Sequence, residues 1–197
     1  MRMPRLFAVC TKAAALLFAV SCFSLFASGQ GFFKMPEVNI FAGYSLVRFD
    51  SQPLGYSKTL NLNGGNLEIS LPNLYQGLGI AADVSGHWND QAEQFNFLIG
   101  PQYRFEVKGL RPFAHGLFGK TRTRLLQLGA SQAEPSTLGY GVALGGGFDI
   151  PLGDRFSIRP IQADYLVSSG FGNKRHDVRY SAGIVVRFGK TTEAPSF

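Results

Sequence analysis

The side chains best suited to acid–base chemistry or metal binding are three histidines, His87, His115 and His176. No two of them stand at a metal-ligand spacing, so neither a metal nor another cofactor is expected. Ser85 and His87 are two residues apart, which on a β-strand puts them on one face. A serine nucleophile and its base could be assembled that way, given an orienting acid. The run Gly145-Gly146-Gly147 suggests a phosphate-binding loop, but neither GKS nor GKT is present and no helix is expected after it. Glycine inside a strand more often marks a bend or close packing. No catalytic residue is expected, and the chain is expected not to be an enzyme.

The remaining chemistry-bearing residues are charges. Glu68, Asp83, Asp149 and Asp164 are matched in number by Arg104, Arg159, Arg179 and Arg187. Each stands on the polar side of a segment whose other side is apolar. What the eight can do depends on the elements that carry them.

The N-terminus is set aside first. Arg2 and Arg5 precede a nearly unbroken apolar run, 13–26, which ends in Ala27-Ser28-Gly29. A basic start, a short apolar stretch and small residues at a cleavage point make a secretory signal peptide, residues 1–29. The run is shorter than the ~20 residues that a spanning helix needs. Both cysteines, Cys10 and Cys22, fall within it, so the mature chain has no disulfide and no thiolate ligand. Residues 19–22 loosely resemble a lipoprotein cleavage box, which leaves lipidation of Cys22 open. Loss of Arg2, Arg5 and Lys12 lowers the net charge from +6 to +3. That is weak attraction for nucleic acid, and no nucleic-acid partner is expected.

The mature chain alternates apolar and polar residues with period two, the pattern of half-buried strands. In 139–149, Tyr140, Val142, Leu144 and Phe148 oppose glycines, Ala143 and Asp149. Segments starting at Val38, Leu78, Phe95 and Val178 repeat this pattern. Segment 66–71 is short, and 113–122 alternates too poorly for its faces to be assigned. Segment 156–168 changes phase: Phe156 and Ile158 share a face with Ile161, Ala163 and Tyr165 only if one residue is extra. A β-bulge near Pro160 is therefore expected. Eight strands result, an even number, as a closed bacterial membrane barrel requires. The connections centre on 50–60, 72–76, 89–93, 106–110, 123–136, 151–154 and 170–175. The first, fifth and seventh are expected to be long outer loops, the third unusually short, and the others short periplasmic turns.

Alternation alone does not say which face is wet. The polar face is mostly Gly, Ala and Ser with isolated charges, whereas a water-facing exterior carries many Lys and Glu. Aromatic residues gather near both strand ends: Tyr103, Phe105, Phe148, Phe156 and Phe188 at one, Trp88, Phe95, Tyr140, Tyr165 and Tyr180 at the other. Such girdles suit two membrane interfaces. The expected fold is all-β, an eight-stranded antiparallel up-and-down transmembrane β-barrel over residues 30–189, with a short tail, 190–197. Ser85 and His87 then point inward, away from lipid. The lumen of eight strands is just wide enough for side chains. Glu68, Asp83, Arg104, Asp149, Arg159, Asp164, Arg179 and Arg187 are expected to pair there and block passage, because buried charges persist only when paired. A narrow porin-like channel is the alternative, and a lipid-modifying enzyme a more distant one. Arg122 and Arg124 could touch anionic lipopolysaccharide, though solvation is the plainer role.

The stretches 78–88 (LGIAADVSGHW), 111–115 (RPFAH), 144–149 (LGGGFD) and 158–165 (IRPIQADY) together resemble the small OmpA-like outer membrane β-barrel proteins, a porin-type family common in acidobacteria. The resemblance covers about 38–189. It implies an eight-stranded barrel inserted by the outer-membrane barrel assembly machinery; together with the signal peptide, the expected place is the bacterial outer membrane after signal-peptide-dependent export, in contact with its lipids and lipopolysaccharide. Ser181, Gly183, Val186 and Phe188 resemble the last-strand signal that this machinery reads, although residues 190–197 follow the terminal aromatic. A structural or interaction role without catalysis is the expected function. Wall anchoring by a peptidoglycan-binding domain is not.

Overall fold

The structure, a computed structural model, describes residues 37–49, 60–126, 136–170 and 172–189. The signal segment 1–29, with Cys10 and Cys22, and the tail 190–197 lie outside these residues. In chain order the strands are β1 (Val38–Phe49), β2 (Leu60–Tyr75), β3 (Leu78–Trp88), β4 (Ala92–Arg104), β5 (Arg111–Leu125), β6 (Ser136–Pro151), β7 (Phe156–Gly170) and β8 (Asn173–Phe188). Each pairs antiparallel with the next, and β1 pairs with β8 from Val38↔Phe188 to Arg48↔Val178. The sheet is closed, which satisfies its edges and is the only way for strands to span a membrane.

Period-two alternation decides which side chains go where. Leu67 and Ile69 on β2, Val84 and Trp88 on β3, Phe95 and Phe97 on β4, and Tyr140, Val142 and Leu144 on β6 are exposed outward. Their neighbours in sequence, among them Glu68, Asp83, Asn96 and Ala143, are buried inside. Every strand presents at least one large apolar residue outward. A continuous apolar wall of this extent is far larger than a soluble monomer exposes, and lipid is the solvent that it fits. The aromatic ends agree: Trp88, Tyr140 and Tyr165 are exposed toward one end, Tyr103, Phe156 and Phe188 toward the other.

The bulge lies where the alternation breaks. Arg159 pairs with Gly183 but Gln162 with Ser181, and the β6 register shifts between Phe148 and Ile150. Pro160 and Ile161 both face outward, so Ile158, Ile161 and Tyr165 keep one face. At the β2–β3 turn Gln76 (φ 47°) and Gly77 (φ 86°) both adopt the left-handed region, the conformation of a tight two-residue hairpin. Asn73 Oδ1 accepts the Gly77 N–H at 2.7 Å.

Two expectations are corrected. Segment 66–71 is not a short strand: β2 runs Leu60–Tyr75, its alternation obscured by the inward Leu62 and by Gly64 and Gly65. The seventh connection is not a long loop: the β7–β8 ladder continues to Gly170↔Asn173. Arg175, expected in the seventh connection, and Asp177, just before the expected start of the last strand at Val178, are ladder residues facing inward, in phase with Arg179 and Ser181. The longer connections, 50–59 and 126–135, are at the same end, called here the loop end; the opposite end, with the β2–β3, β4–β5 and β6–β7 connections, is the turn end.

The interior is not uniformly polar. Val47, Phe49, Leu62, Ala92 and Leu125 point inward in the loop half, meeting Leu98, Leu117, Ala143 and Leu166 near the middle. Strand β5 defeated alternation for this reason. It buries Phe113 and Leu117 beside His115, Thr121 and Thr123, and turns Lys120, Arg122 and Arg124 outward.

Candidate functional site

The charges converge in the turn half and middle of the lumen. β8 supplies Arg179, whose Nη1 and Nη2 donate to the two Asp83 oxygens from β3 at 2.7 and 3.0 Å. Its Nε donates to Asp164 Oδ2 from β7 at 2.8 Å, and Nη1 also reaches Ser85 Oγ at 2.9 Å. Asp164 takes further contacts from His115 Nε2 (2.7 Å) and Gln162 Nε2 (3.0 Å). His115 Nδ1 lies 3.6 Å from Glu68 Oε2, which links this group to the next.

The second group centres on Arg159. Its Nε and Nη2 form a fork on Asp149 at 2.7 and 3.3 Å, and Nη1 donates to Glu68 at 3.1 Å and Gln162 at 2.7 Å. The guanidinium is held between the rings of Phe41 and Phe113, 4.3 and 4.1 Å from their centroids. Arg104 Nη2 adds a contact to Asp149 at 3.2 Å. Bidentate, sandwiched guanidinium is the arrangement in which arginine is least costly to bury. Glycines make the room: a Cβ at Gly145 would collide with the Asp164 carboxylate, and one at Gly147 would crowd the Phe113 ring. This is the close packing that the Gly145-Gly146-Gly147 run provides.

Seven of the eight charges singled out from sequence therefore share one network: Glu68, Asp83, Arg104, Asp149, Arg159, Asp164 and Arg179. Arg187 stands apart at the turn end, its Nη2 donating to the Gly153 carbonyl at 2.6 Å. The place beside the acids that sequence reasoning gave to Arg187 is occupied by His115. Three further lumen residues were missed. Arg175 donates to Thr123 (3.1 Å) and Ser168 (3.0 Å), contacts Asp177 at 3.4 Å, and covers the Phe49 ring at 4.1 Å. Gln94 Nε2 reaches the same Asp177 oxygen at 3.3 Å. The alternation Arg175, Asp177, Arg179, Ser181 is a visible signal for the two charges, but the connection expected over 170–175 takes in Arg175 and leaves Asp177 short of the strand expected from Val178.

A serine–histidine contact exists, though not the one considered from sequence. His87 Nε2 lies 2.9 Å from Ser45 Oγ, while Ser85 bonds to Arg179 and Asn96. No acid orients His87: its Nδ1 is buried without a partner. Ser45 and His87 are both fully buried, so the nucleophile geometry lacks both its third member and a path for substrate. Among the described residues no cluster of three His, Asp or Glu side chains is arranged to hold a metal ion. The last-strand residues are ordinary members of β8: Gly183 faces Gly43 across the closing seam, Ser181 Oγ bonds to Ser45 Oγ at 2.9 Å, Val186 pairs with Ile40, and Phe188 is exposed at the end.

No protein-family model matches the chain, and no curated protein matches it in sequence. Solved structures do match. Neisserial surface protein A superposes with a TM-score of 0.60 at 12% identity, covering 77% of this chain and 96% of the other. Ail, the attachment invasion locus protein of Yersinia pestis, superposes at 0.51 with 21% identity, covering 78% of this chain and 100% of Ail. At such identities the likeness is one of fold, and it spans the whole barrel. The chain has the fold of the small, OmpA-like eight-stranded outer membrane β-barrels.

Proposed function

We propose that this protein is a non-catalytic barrel of the bacterial outer membrane, reached by signal-peptide-dependent export, with a structural or interaction role and a lumen closed by its own side chains. The single observation that carries the closure is burial along the barrel axis. Asp83, Arg159 and Arg179 in the charged layer, and Leu98 and Ala143 beside it, have no exposed surface. A water-filled pore would wet some of them. The closure combines a salt-bridge network with an apolar section, and so differs from the purely polar plug that alternation suggests.

Partners follow from the outer wall. Lys120, Arg122 and Arg124 project outward from the loop half of β5, with Lys120 Nζ 3.8 Å from the Tyr140 ring centroid. Cations at an aromatic girdle suit the phosphates of lipopolysaccharide in an outer leaflet. Ser181, Gly183, Val186 and Phe188 on the closing strand are the residues offered to the barrel assembly machinery.

The test is refolding into detergent followed by two measurements. Unboiled protein runs at a different apparent size from boiled protein on a detergent gel, and planar bilayers containing it show no steady unitary current. Steady single-channel conductance would overturn the closure. Loss of the gel shift would overturn the stable barrel.

A further inference from the structure

At the turn end a cleft of about 570 Å³ opens between the β6–β7 turn and the end of β8. Three arginines line it, Arg111 from β5, Arg155 from the turn and Arg187 from β8, against one acid, Asp154. Arg187 is 6% exposed and is held in place twice: its Nη2 donates to the Gly153 carbonyl and its main-chain N–H to the Arg155 carbonyl at 2.8 Å. Gly153 has φ 147°, a backbone that side chains rarely adopt, and so turns its carbonyl to Arg187 without strain.

These guanidiniums are not used up. Arg187 Nε and Arg111 Nη1 are buried donors without a partner, although Glu106 takes Arg111 Nε at 2.5 Å. Buried donors left unpaired are rare, and a ligand is one thing that satisfies them. The charge points the same way. Among the residues lining the cleft, three guanidiniums stand against the single carboxylate of Asp154, while Glu106 pairs with Arg111 at its edge and Glu37 lies near Arg111 and Arg104.

We propose that this cleft is a binding site for a small oxyanion ligand, a molecule carrying carboxylate or phosphate groups, with Arg187 and Arg111 as the buried donors and Arg155 as the solvent-side clamp. Guanidinium forks match the geometry of both groups. The volume falls in the range of about 300–1,000 Å³ typical of small-molecule sites and leaves room for a ligand of several heavy atoms. The site is separate from the lumen network, and it stands whether or not the lumen conducts.

The test uses the full chain refolded in zwitterionic detergent at low ionic strength, with citrate and inorganic pyrophosphate titrated by calorimetry. Saturable binding of either probe is expected, citrate alone marking a carboxylate ligand and pyrophosphate alone a phosphate ligand. Loss of one charge-assisted hydrogen bond should weaken it about tenfold, in Arg187→Gln and in Arg155→Gln. Arg155 is exposed in a turn, so its variant keeps the test valid if Arg187→Gln fails to fold. Lys174→Gln, at the opposite end of the barrel, should leave binding unchanged. Absence of saturable binding overturns the proposal. So does equal weakening by Lys174→Gln and Arg155→Gln, which would mark a response to net charge alone.

Discussion

Replacing Arg179 by methionine removes the cation at the centre of the lumen while keeping most of the side chain's length. Arg179 makes five polar contacts, two to Asp83, two to Asp164 and one to Ser85, all at 2.7–3.0 Å. Charge-assisted hydrogen bonds contribute about 1.5–3 kcal/mol each, but their sum is not the expected loss, because burying the three ions already costs several kcal/mol per ion. What decides the outcome is what is left behind. Asp164 retains His115 and Gln162. Asp83 retains no hydrogen bond among the described residues. Breaking a buried pair from one side costs about 3–5 kcal/mol, and Arg179→Met is expected in that range. Adding Asp83→Asn should recover part of the loss, with a coupling of about 0.5–3 kcal/mol. The assay is reversible denaturant unfolding in lipid vesicles. Trp88, the single tryptophan, is a built-in fluorophore on the outer wall at 55% exposure. A loss below about 1 kcal/mol, the ordinary mutational mean, would refute the reasoning, as would a double variant no more stable than the single.

Two further perturbations test the faces. Val142 is exposed in the middle of β6, so Val142→Arg should cost ~2–4 kcal/mol in lipid near the midplane; unchanged vesicle stability would show that this side chain does not face lipid. Deleting Pro160 removes the extra residue of the β7 bulge and restores regular alternation, with Ser157, Arg159, Gln162 and Asp164 still inward, Ile158, Ile161 and Tyr165 still outward, and both flanking ladders in register. The deletion variant should therefore still give the gel shift of the folded barrel, as should Pro160→Ala, which keeps the bulge; a deletion variant that fails to fold would contradict the register.

Fold and faces were legible where hydropathy and geometry coincide. Strands β3, β4, β6 and the second half of β8 carry apolar residues outward and polar ones inward without exception enough to blur the pattern, so period two was sufficient. The Pro160 bulge was legible for the same reason: a phase error of one residue has only one remedy in a paired strand. Strand β5 was not legible, because Phe113 and Leu117 fill the lumen while Lys120, Arg122 and Arg124 face out. The seventh connection reads as a loop because Gly170, Gly172 and Asn173 are turn-forming residues, yet the ladder continues to Gly170↔Asn173.

The sequence by itself determined the number of strands, their alternating faces, and seven of the charges that meet in the interior. Side-chain direction in a strand follows from parity alone, so this much needs no third dimension. Tertiary structure decided the partners. Arg179 meets Asp83 and Asp164 only because β8, β3 and β7 face one lumen, and Arg159 finds Glu68 across the barrel, 91 residues away in sequence. It also decided that His115, not Arg187, sits beside the acids, and that an apolar section of Phe49, Leu62 and Leu98 shares the interior with them. Pairing depends on strand register and on height along the barrel, which no single segment records.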